Sequence, residues 1–364
     1  MLIQVVLFCA GLVALIAGAE LLVRGASKLA ITFGMSPLVV GLTVVAFGTS
    51  APEVAVSVGA VYGGRTDVAI GNVVGSNIFN VLLILGVSAL IAPLVVARQV
   101  IRQEVPLMIG TSVLLVVLLL DGHLSRFDAA MLAVLMVAYT AFLVVQSRRD
   151  MGAARNEDTS DAARKAGGSA WDRHWSVQLL LIAGGLALLV LGSQWLVGAA
   201  VVFARALGIS DVVVGLTIVA AGTSLPEVAT SVMAAVRGER DIAVGNVVGS
   251  NMFNIFACLG IAGLVATDGL PVPPSVLNFD LWVMVAVAFA CLPVFLTGRE
   301  IARWEGGLFL GYYVAYTAYL ILASTEHDAL EAYSAVMMSF VIPLTVVTLF
   351  VMLVRSDVTA RAPR

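Results

Sequence analysis

The chain has 364 residues, of which 60% are hydrophobic and only 12% are charged. Its apolar residues form long blocks instead of alternating with polar ones, which excludes an ordinary soluble domain of this size. The net charge of −3 says little about partners, because almost every charged residue lies in a short connection between these blocks. An integral membrane protein is therefore predicted.

Eleven membrane-spanning helices are predicted, since crossing the hydrocarbon takes about 20 apolar residues in a helix. In chain order their expected bounds are 2–23, 37–62, 67–92, 104–120, 128–146, 177–198, 211–236, 241–266, 280–297, 304–323 and 332–354. The first block lacks a basic n-region and a small-residue cleavage site, so we expect it to be retained as the first helix.

The positions of the basic residues predict the orientation, because short cytoplasmic loops are enriched in Lys and Arg. With the N-terminus outside and the C-terminus in the cytoplasm, all of the 20 Lys and Arg except Arg65, Arg126 and Arg205 fall on the cytoplasmic side. The opposite orientation would invert this bias. The expected location is the inner (plasma) membrane.

The chain contains an internal duplication at an offset of 174 residues. Residues 41–60 read GLTVVAFGTSAPEVAVSVGA and residues 215–234 read GLTIVAAGTSLPEVATSVMA, identical at 15 of 20 positions. Residues 71–86, GNVVGSNIFNVLLILG, match residues 245–260, GNVVGSNMFNIFACLG, at 11 of 16 positions.

Each copy spans five helices, an odd number, so the second copy must enter the membrane from the opposite side. The predicted fold is all-α: a polytopic membrane protein of two inverted five-helix repeats, giving ten core transmembrane helices, plus an eleventh C-terminal helix. Such repeats place a substrate site near the bilayer midplane, where they meet. The expected units are a first repeat at 1–146, a cytoplasmic hinge loop at 147–176, a second repeat at 177–323, and an accessory helix with a cytoplasmic tail at 324–364.

Glu53 and Glu227 occupy equivalent positions of the two copies and stand far from the predicted helix ends. Carboxylates inside the membrane are costly and usually functional, so both are predicted to be ion ligands. The alternative is a structural residue neutralised by a proton or by a basic partner, but no Lys, Arg or His is predicted at that depth.

A proline precedes each glutamate in the shared string GTS-x-PE. Its missing N–H prevents the normal helical bond to the carbonyl four residues back, at Gly48 or Gly222. The helix is expected to break there, exposing carbonyls that can coordinate a cation, with the glutamate in the first turn of the second half-helix.

The second motif, GNVVGSN-x-FN, supplies further oxygen atoms. Its polar residues are Asn72, Ser76, Asn77 and Asn80 in one copy and Asn246, Ser250, Asn251 and Asn254 in the other. Ser76 and Asn80 are four apart, on one helix face, and are the better ligand candidates. Asn72, Asn77 and their equivalents are as well explained by helix packing.

This all-oxygen set suits a hard cation such as Ca²⁺, which accepts 6–8 oxygen ligands, better than Mg²⁺, which demands an octahedron. Two carboxylates balance one divalent ion or several monovalent ions. Competition of Ca²⁺ and Na⁺ for one set of ligands is the physical basis of antiport.

These motifs resemble those of the cation/calcium exchanger superfamily, closest to its prokaryotic Na⁺/Ca²⁺ antiporters, over about residues 1–323. The resemblance implies a metal site at Thr49, Ser50, Glu53, Ser76 and Asn80 and at Thr223, Ser224, Glu227, Ser250 and Asn254, with backbone carbonyls of Ala46 and Ala220 at the Na⁺ sites. It also implies exchange of three Na⁺ per Ca²⁺ and a first and sixth helix that slide across a fixed core. The glycines expected to form a smooth sliding face are Gly11, Gly18, Gly184, Gly185 and Gly192.

Residues at which this chain differs from other members of the superfamily narrow the choice of coupling ion. Some relatives, including the K⁺-dependent branch, carry an Asp where this chain has Asn80 or Asn254, which favours K⁺-independent exchange. Proton-coupled relatives tend to place an acidic residue where this chain has Gly75 and Gly249, which argues against H⁺ coupling.

The expected function is therefore secondary active antiport of Ca²⁺ against Na⁺ by alternating access, with a K⁺-dependent or H⁺-coupled exchanger of the same fold as the alternative. A cation channel lined by the same oxygens is less favoured. An enzyme is not expected, because the three His lie in predicted loops and no Asp lies in mid-span. The expected partners are the two ions and the lipid bilayer, without a cofactor or nucleic acid.

Overall fold

The computed structural model describes residues 2–154, 174–207 and 220–361. In these parts the helices are α1 Leu2–Phe33, α2 Pro37–Tyr62, α3 Val68–Ile91, α4 Val100–Leu118, α5 Arg126–Ser147, α6 Trp175–Ala206, α7 Leu225–Val236, α8 Arg240–Val265, α9 Val276–Leu296, α10 Arg303–Ser324 and α11 Ala329–Met352. All except α7 are long and apolar enough to cross a membrane. The predicted all-α membrane fold is confirmed.

Helices α1 and α6 are longer than predicted, with 32 residues each. The predicted first helix ended at residue 23, but α1 continues through Arg24 and Gly25 to Phe33. It ends at Gly34, whose φ of 65° is the left-handed conformation that glycine adopts readily. The amide of Met35 then closes the end by donating to Ala30 O at 2.8 Å.

Helix α5, whose membrane span is Arg126–Ser147, continues in helical conformation to Ala154, so the predicted hinge at 147–176 begins inside a helix. The rest of that segment, 155–173, lies outside the described residues. The same holds for 208–219, where the seventh helix was expected to begin. There the described part starts with the short helix Ala220–Gly222.

Two short antiparallel strand pairs join the halves. Strand β1, Leu94–Val95, follows α3 and pairs with β4, Glu300–Ile301, which follows α9. Strand β2, His123–Leu124, follows α4 and pairs with β3, Leu270–Pro271, which follows α8. Because each pair joins a loop of one half to a loop of the other, the core helices are tied together through their connections.

Helix α8 lies at the centre of the molecule, and every residue from 242 to 253 is buried. Glycines bring the first part of α2 directly against it: a Cβ on Gly245 would lie 2.9 Å from Leu38 O, and one on Gly249 would lie 2.7 Å from Leu42 O. A helix buried on all sides usually belongs to the core of a large protein or membrane bundle. Here it carries the second copy of the polar motif into the core.

Helices α1 and α6 contact each other backbone to backbone through glycines. A Cβ on Gly18 would lie 2.8 Å from Gly185 O, and a Cβ on Gly11 would lie 2.8 Å from Gly192 O. These four glycines were expected to face the core, but they pair α1 with α6 instead. Gly184, the fifth, has no atom within 4 Å of its Cβ position and takes no part in this contact.

Helix α11 packs on the outside of α9 and α10, and no residue of its first 13 is buried. Tyr312 Oη of α10 donates to Thr345 Oγ1 at 2.7 Å, and Tyr333 Oη of α11 donates to Ala315 O at 2.8 Å. An apolar cavity of about 650 Å³ lies between these three helices. The eleventh helix is thus an addition to the ten-helix core.

We expect Gly18→Ala to lower the apparent melting temperature of the detergent-solubilised protein by roughly 2–10 °C, because the new methyl group would collide with backbone. Alanine alone would favour the helix by about 1 kcal/mol, so the effect of packing must outweigh that gain. Gly184→Ala makes the same change on α6 in open space and should not lower the melting temperature. Equal behaviour of the two variants would contradict the close contact.

Candidate ion-binding site

The first GTS-x-PE string interrupts α2 at one residue. The helix ends at Thr49 and resumes at Ala51, while Ser50 between them has φ −82° and ψ 2°, outside the helical range. Pro52, which cannot donate to the carbonyl of Gly48, lies in the first turn of the new segment. Glu53 therefore stands at a helix N-terminus, where the helix dipole favours negative charge.

The second string repeats this arrangement at the start of α7, where Ser224 has φ −90° and ψ 8° and Glu227 is in the first turn. The carbonyl of Gly222, left without its helical donor, accepts a bond of 2.6 Å from Ser193 Oγ of α6. At the matching position, α1 has Ala19, which has no hydroxyl. The predicted helix breaks are present in both copies.

The two carboxylates are bonded crosswise between the halves. Ser50 Oγ donates to Glu227 Oε1 at 3.1 Å, and Ser224 Oγ donates to Glu53 Oε1 at 2.9 Å. Both glutamates are 1% exposed, and Ser76 Oγ lies 3.3 Å from Ser224 Oγ. The structure therefore brings together one cluster of five side chains: Glu53, Glu227, Ser50, Ser224 and Ser76.

Several buried oxygen atoms of this cluster and its surroundings have no hydrogen-bond partner. They are Glu53 Oε2, Glu227 Oε2, Asn80 Oδ1, Thr223 Oγ1 and Ser250 Oγ. Leaving a buried polar atom unpaired is costly, so such atoms call for an explanation. All of these atoms are acceptors or hydroxyls, which is the chemistry of a hard-cation site.

Among the described residues, two charged side chains contribute to this site, Glu53 and Glu227. No group of three or more His, Cys, Asp or Glu that could hold a metal occurs anywhere in the described residues. Neutral oxygen atoms must therefore complete the coordination of any cation bound between the glutamates.

Asn80 and Asn254 each begin a π-helical turn, Asn80–Leu85 in α3 and Asn254–Leu259 in α8. Such turns are rare and are frequent at functional sites because they shift the direction of the side chains. Asn80 Nδ2 donates to Asn251 Oδ1 at 3.0 Å, and Asn254 Nδ2 donates to Asn77 Oδ1 at 3.1 Å. These amides also pair across the two halves.

Asn72 and Asn246 have a structural role. Asn72 Nδ2 donates to Ser57 Oγ at 3.1 Å and to the backbone oxygen of Glu53 at 3.4 Å. Asn246 Nδ2 donates to Ser231 Oγ at 2.9 Å. Each asparagine thus ties the motif helix to the half-helix that carries its glutamate.

The remaining predicted ligands lie beside the helix breaks. Thr49 Oγ1 donates to Val45 O at 3.1 Å and lies at the same distance from Asn246 Oδ1. Ala46 is fully buried one turn earlier, and its carbonyl lies 3.4 Å from Thr49 Oγ1. Ala220 begins the short helix that precedes the second break.

The sequence did not reveal a third buried carboxylate, Glu104 of α4, which is fully buried. It differs from the other two because both of its oxygens are bonded: Gln99 Nε2 and Gln103 Nε2 donate to Oε1 at 3.1 and 2.8 Å, and Tyr139 Oη donates to Oε2 at 2.9 Å. Gln99 and Gln103 could have indicated from the sequence that Glu104 is hydrogen-bonded, since both lie within five residues of it. Glu104 is a satisfied structural carboxylate.

The two inverted five-helix halves meet around a pair of carboxylates, each with one oxygen hydrogen-bonded and one oxygen without a partner. This arrangement is typical of a secondary cation transporter. Residues 3–145 and 177–322 match the family model described as sodium/calcium exchanger protein, and the chain belongs to this family. It is a cation/Ca²⁺ antiporter, that is, a membrane transporter.

Individual relatives agree with this assignment. The sodium/calcium exchanger MaX1 of Methanosarcina acetivorans is 35% identical over 85% of this chain and 96% of its own length. The inner membrane protein YrbG of Escherichia coli is 37% identical over 88% of this chain and 97% of its own. The solved structure of the sodium–calcium exchanger NCX_Mj superposes with a TM-score of 0.73 at 32% identity, covering 87% of this chain and 98% of the other.

We expect Glu53→Gln and Glu227→Gln to abolish the rise in melting temperature that Ca²⁺ causes in the wild type, because each removes half of the balancing charge. Without Ca²⁺ these variants should be at least as stable as the wild type, since a buried charge is gone.

Glu104→Gln is the matched control, because it makes the same change at a carboxylate whose oxygens are all bonded. Its amide would face donors, so it should lower the melting temperature without Ca²⁺ while keeping the Ca²⁺-dependent rise. A Ca²⁺-dependent rise that persists in both Glu53→Gln and Glu227→Gln would remove these glutamates from the site.

Proposed function

We propose that the coupling ion is Na⁺ and that the protein exchanges Ca²⁺ for Na⁺ through one shared site around Glu53 and Glu227. The observation that carries this proposal is the crossed pair of carboxylates, each with one oxygen bonded to a serine of the other half and one oxygen free. The proposed ligands in addition to the two carboxylates are Thr49, Ser50, Ser76, Asn80, Thr223, Ser224, Ser250 and Asn254, with the carbonyls of Ala46 and Ala220.

The charge of this set supports competition between the two ions. A Ca²⁺ ion neutralises both glutamates, and the same two charges can be balanced by Na⁺ ions that use the surrounding neutral oxygens. Because an empty site leaves two carboxylates together in a low-dielectric interior, the unloaded carrier has a high energy. If only the carrier with bound ions changes conformation, one ion can return the site only after replacing the other, and exchange is obligatory.

Two features oppose the other coupling ions. An acidic side chain at Gly249, one of the two positions where proton-coupled relatives tend to have one, would collide with Leu42 O, whereas Gly75 meets no such obstacle among the described residues. Asn80 and Asn254 are both neutral amides, and each donates an N–H to an asparagine of the other half. A carboxylate could not donate these bonds, so the pairing fits an asparagine at both positions.

Alternating access is proposed to involve α1 and α6 moving as a pair across the core. Their glycine contact keeps them together. On the predicted cytoplasmic side, α1 is held to the core by an ion pair between Glu20 and Arg237 and by Ser27 Oγ, which donates to Glu239 Oε1 at 2.7 Å. Such polar contacts can break and reform as the helix pair moves.

The proposed orientation in the inner membrane has the N-terminus outside and the C-terminus in the cytoplasm, with 147–176 as a cytoplasmic loop between repeats 1–146 and 177–323 and an accessory region at 324–364. It rests on the Lys and Arg distribution.

In a variant with Cys9, Cys258 and Cys291 replaced by Ala, a cysteine at Asp121 should react with an impermeant maleimide in intact cells, whereas one at Arg98 should react only after lysis. The reverse pattern would invert the topology.

The function is tested by uptake of radiolabelled Ca²⁺ into proteoliposomes preloaded with Na⁺, with choline, K⁺ or a proton gradient substituted in parallel. We expect uptake only with internal Na⁺, saturating as external Ca²⁺ rises, and at least about 100-fold slower in Glu53→Gln, since a ligand charge is lost from a buried site.

The parallel arms separate the alternatives. Uptake driven equally by a proton gradient would assign H⁺ coupling, and uptake that requires K⁺ together with Na⁺ would assign the K⁺-dependent type. A flux that persists in choline without saturating would indicate a channel. Glu104→Gln, assayed below its melting temperature, should retain Na⁺-dependent uptake.

A further inference from the structure

Two methionine sulfur atoms lie next to the asparagines of the site. Met108 of α4 and Met284 of α9 are 1% and 2% exposed. Asn251 Nδ2 donates to Met108 Sδ at 3.4 Å, and Asn77 Nδ2 donates to Met284 Sδ at 3.7 Å. The two contacts occupy corresponding places in the inverted halves, although α4 and α9 were not part of either recognised motif.

Each of these asparagines is bonded in turn to an asparagine proposed as an ion ligand. Asn251 Oδ1 accepts from Asn80 Nδ2 at 3.0 Å, and Asn77 Oδ1 accepts from Asn254 Nδ2 at 3.1 Å. The result is two chains of hydrogen-bonded side chains. One runs from Met108 through Asn251 to Asn80, and the other runs from Met284 through Asn77 to Asn254.

The polarity of each chain is set at its methionine end. A thioether sulfur accepts hydrogen bonds but has no proton to donate, whereas an amide can turn its oxygen or its nitrogen toward a neighbour. Sulfur therefore selects the Nδ2 side of Asn251, which turns Oδ1 of Asn251 toward Asn80. Asn80 must then present Nδ2 to Asn251, and its own Oδ1 is left without a partner although it is buried.

We propose that Met108 and Met284 are positioning residues that act through Asn251 and Asn77 to keep the amide oxygens of Asn80 and Asn254 turned toward the transported cation. Asn80 Oδ1 has no partner, whereas Asn254 Oδ1 accepts a long bond of 3.8 Å from the thiol of Cys258. If either ligand amide rotated, it would offer N–H groups to a positive ion. This inference rests on the proposed function, because it presupposes that these two oxygens contact the ion.

The two chains differ in strength. Asn77 Nδ2 has a second acceptor, the backbone oxygen of Asn251 at 3.4 Å, which also can only accept. Asn251 Nδ2 has Met108 Sδ as its one recorded acceptor within the described part of the chain. Met108 therefore controls its asparagine alone, whereas Met284 shares the control with a carbonyl.

The test replaces each methionine with leucine, which conserves volume but removes the acceptor. Met108→Leu should raise the Ca²⁺ concentration for half-maximal Na⁺-driven uptake by about 3- to 10-fold, the equivalent of one hydrogen bond, while Met284→Leu has a smaller effect. Met252→Leu is the matched control: Met252 is also 1% exposed and accepts from Thr111 Oγ1 at 3.3 Å, outside both chains. It should leave the half-maximal concentration unchanged.

A double-variant cycle separates orientation from packing. In Asn80→Asp the ligand is a carboxylate, whose oxygens are both acceptors, so its orientation no longer depends on sulfur. Adding Met108→Leu to Asn80→Asp should then have no unfavourable effect on Ca²⁺ affinity. The same loss in both backgrounds, or equal effects of Met108→Leu and Met252→Leu, would overturn the proposal.

The Ca²⁺-dependent rise in melting temperature is measured for the same variants, so that a transport-deficient protein still reports on binding. If wild-type protein binds Ca²⁺ but does not exchange it for Na⁺, the proposed function fails and the binding data still decide the role of Met108. If the wild type exchanges the ions and Met108→Leu changes neither readout, only the positioning role fails.

Discussion

The structure depends on holding two carboxylates side by side at the centre of an apolar bundle, with one hydroxyl bonded to each. Glu53 and Glu227 are 1% exposed, and no basic side chain is recorded against them in the described residues. A buried charge without compensation is among the costliest features that a protein can contain. The surrounding devices all reduce this cost: two helix N-termini, serine hydroxyls, and oxygen atoms that are able to share a cation. An ion is thus a structural element of the loaded protein as well as its cargo.

Close packing in the core follows from this constraint. The ligands must converge from four helical segments, α2, α3, α7 and α8, and polar side chains on several faces of one helix require close neighbours on each of them. Glycines at 245 and 249 of α8 let α2 approach within contact of its backbone. The π-helical turns that begin at Asn80 and Asn254 shift the direction of successive side chains. The glycines of α8 and the motif asparagines therefore both serve to bring oxygen atoms together at the site.

Much of the fold and of the site could be predicted because the sequence contains an internal duplication. The 174-residue duplication, with five apolar blocks in each copy, was enough for the inverted repeats, and intramembrane glutamates are so costly that Glu53 and Glu227 stood out. Other features left no local signal. The contact of Met108 with Asn251 joins residues 143 positions apart, and neither belongs to a pattern that distinguishes it from packing. The length of α1 was missed because about 20 apolar residues suffice to cross the hydrocarbon, whereas the helix itself continues to Phe33. The glycines of α1 were recognised, but their partner helix could not be, since α6 and the core offer similar apolar surfaces.

The crossed bonds between Ser50 and Glu227 and between Ser224 and Glu53 also bear on the origin of the molecule. A single five-helix unit contains the carboxylate but lacks the hydroxyl that bonds to it, because that hydroxyl belongs to the inverted copy. A single unit with this site would have to insert into the membrane in both orientations and form an antiparallel dimer with two-fold symmetry. In the single chain both orientations are present together, and each serine bonds to a glutamate of the other half. A substitution at either serine therefore changes the surroundings of the glutamate in the other half, so neither half of the site can be altered independently.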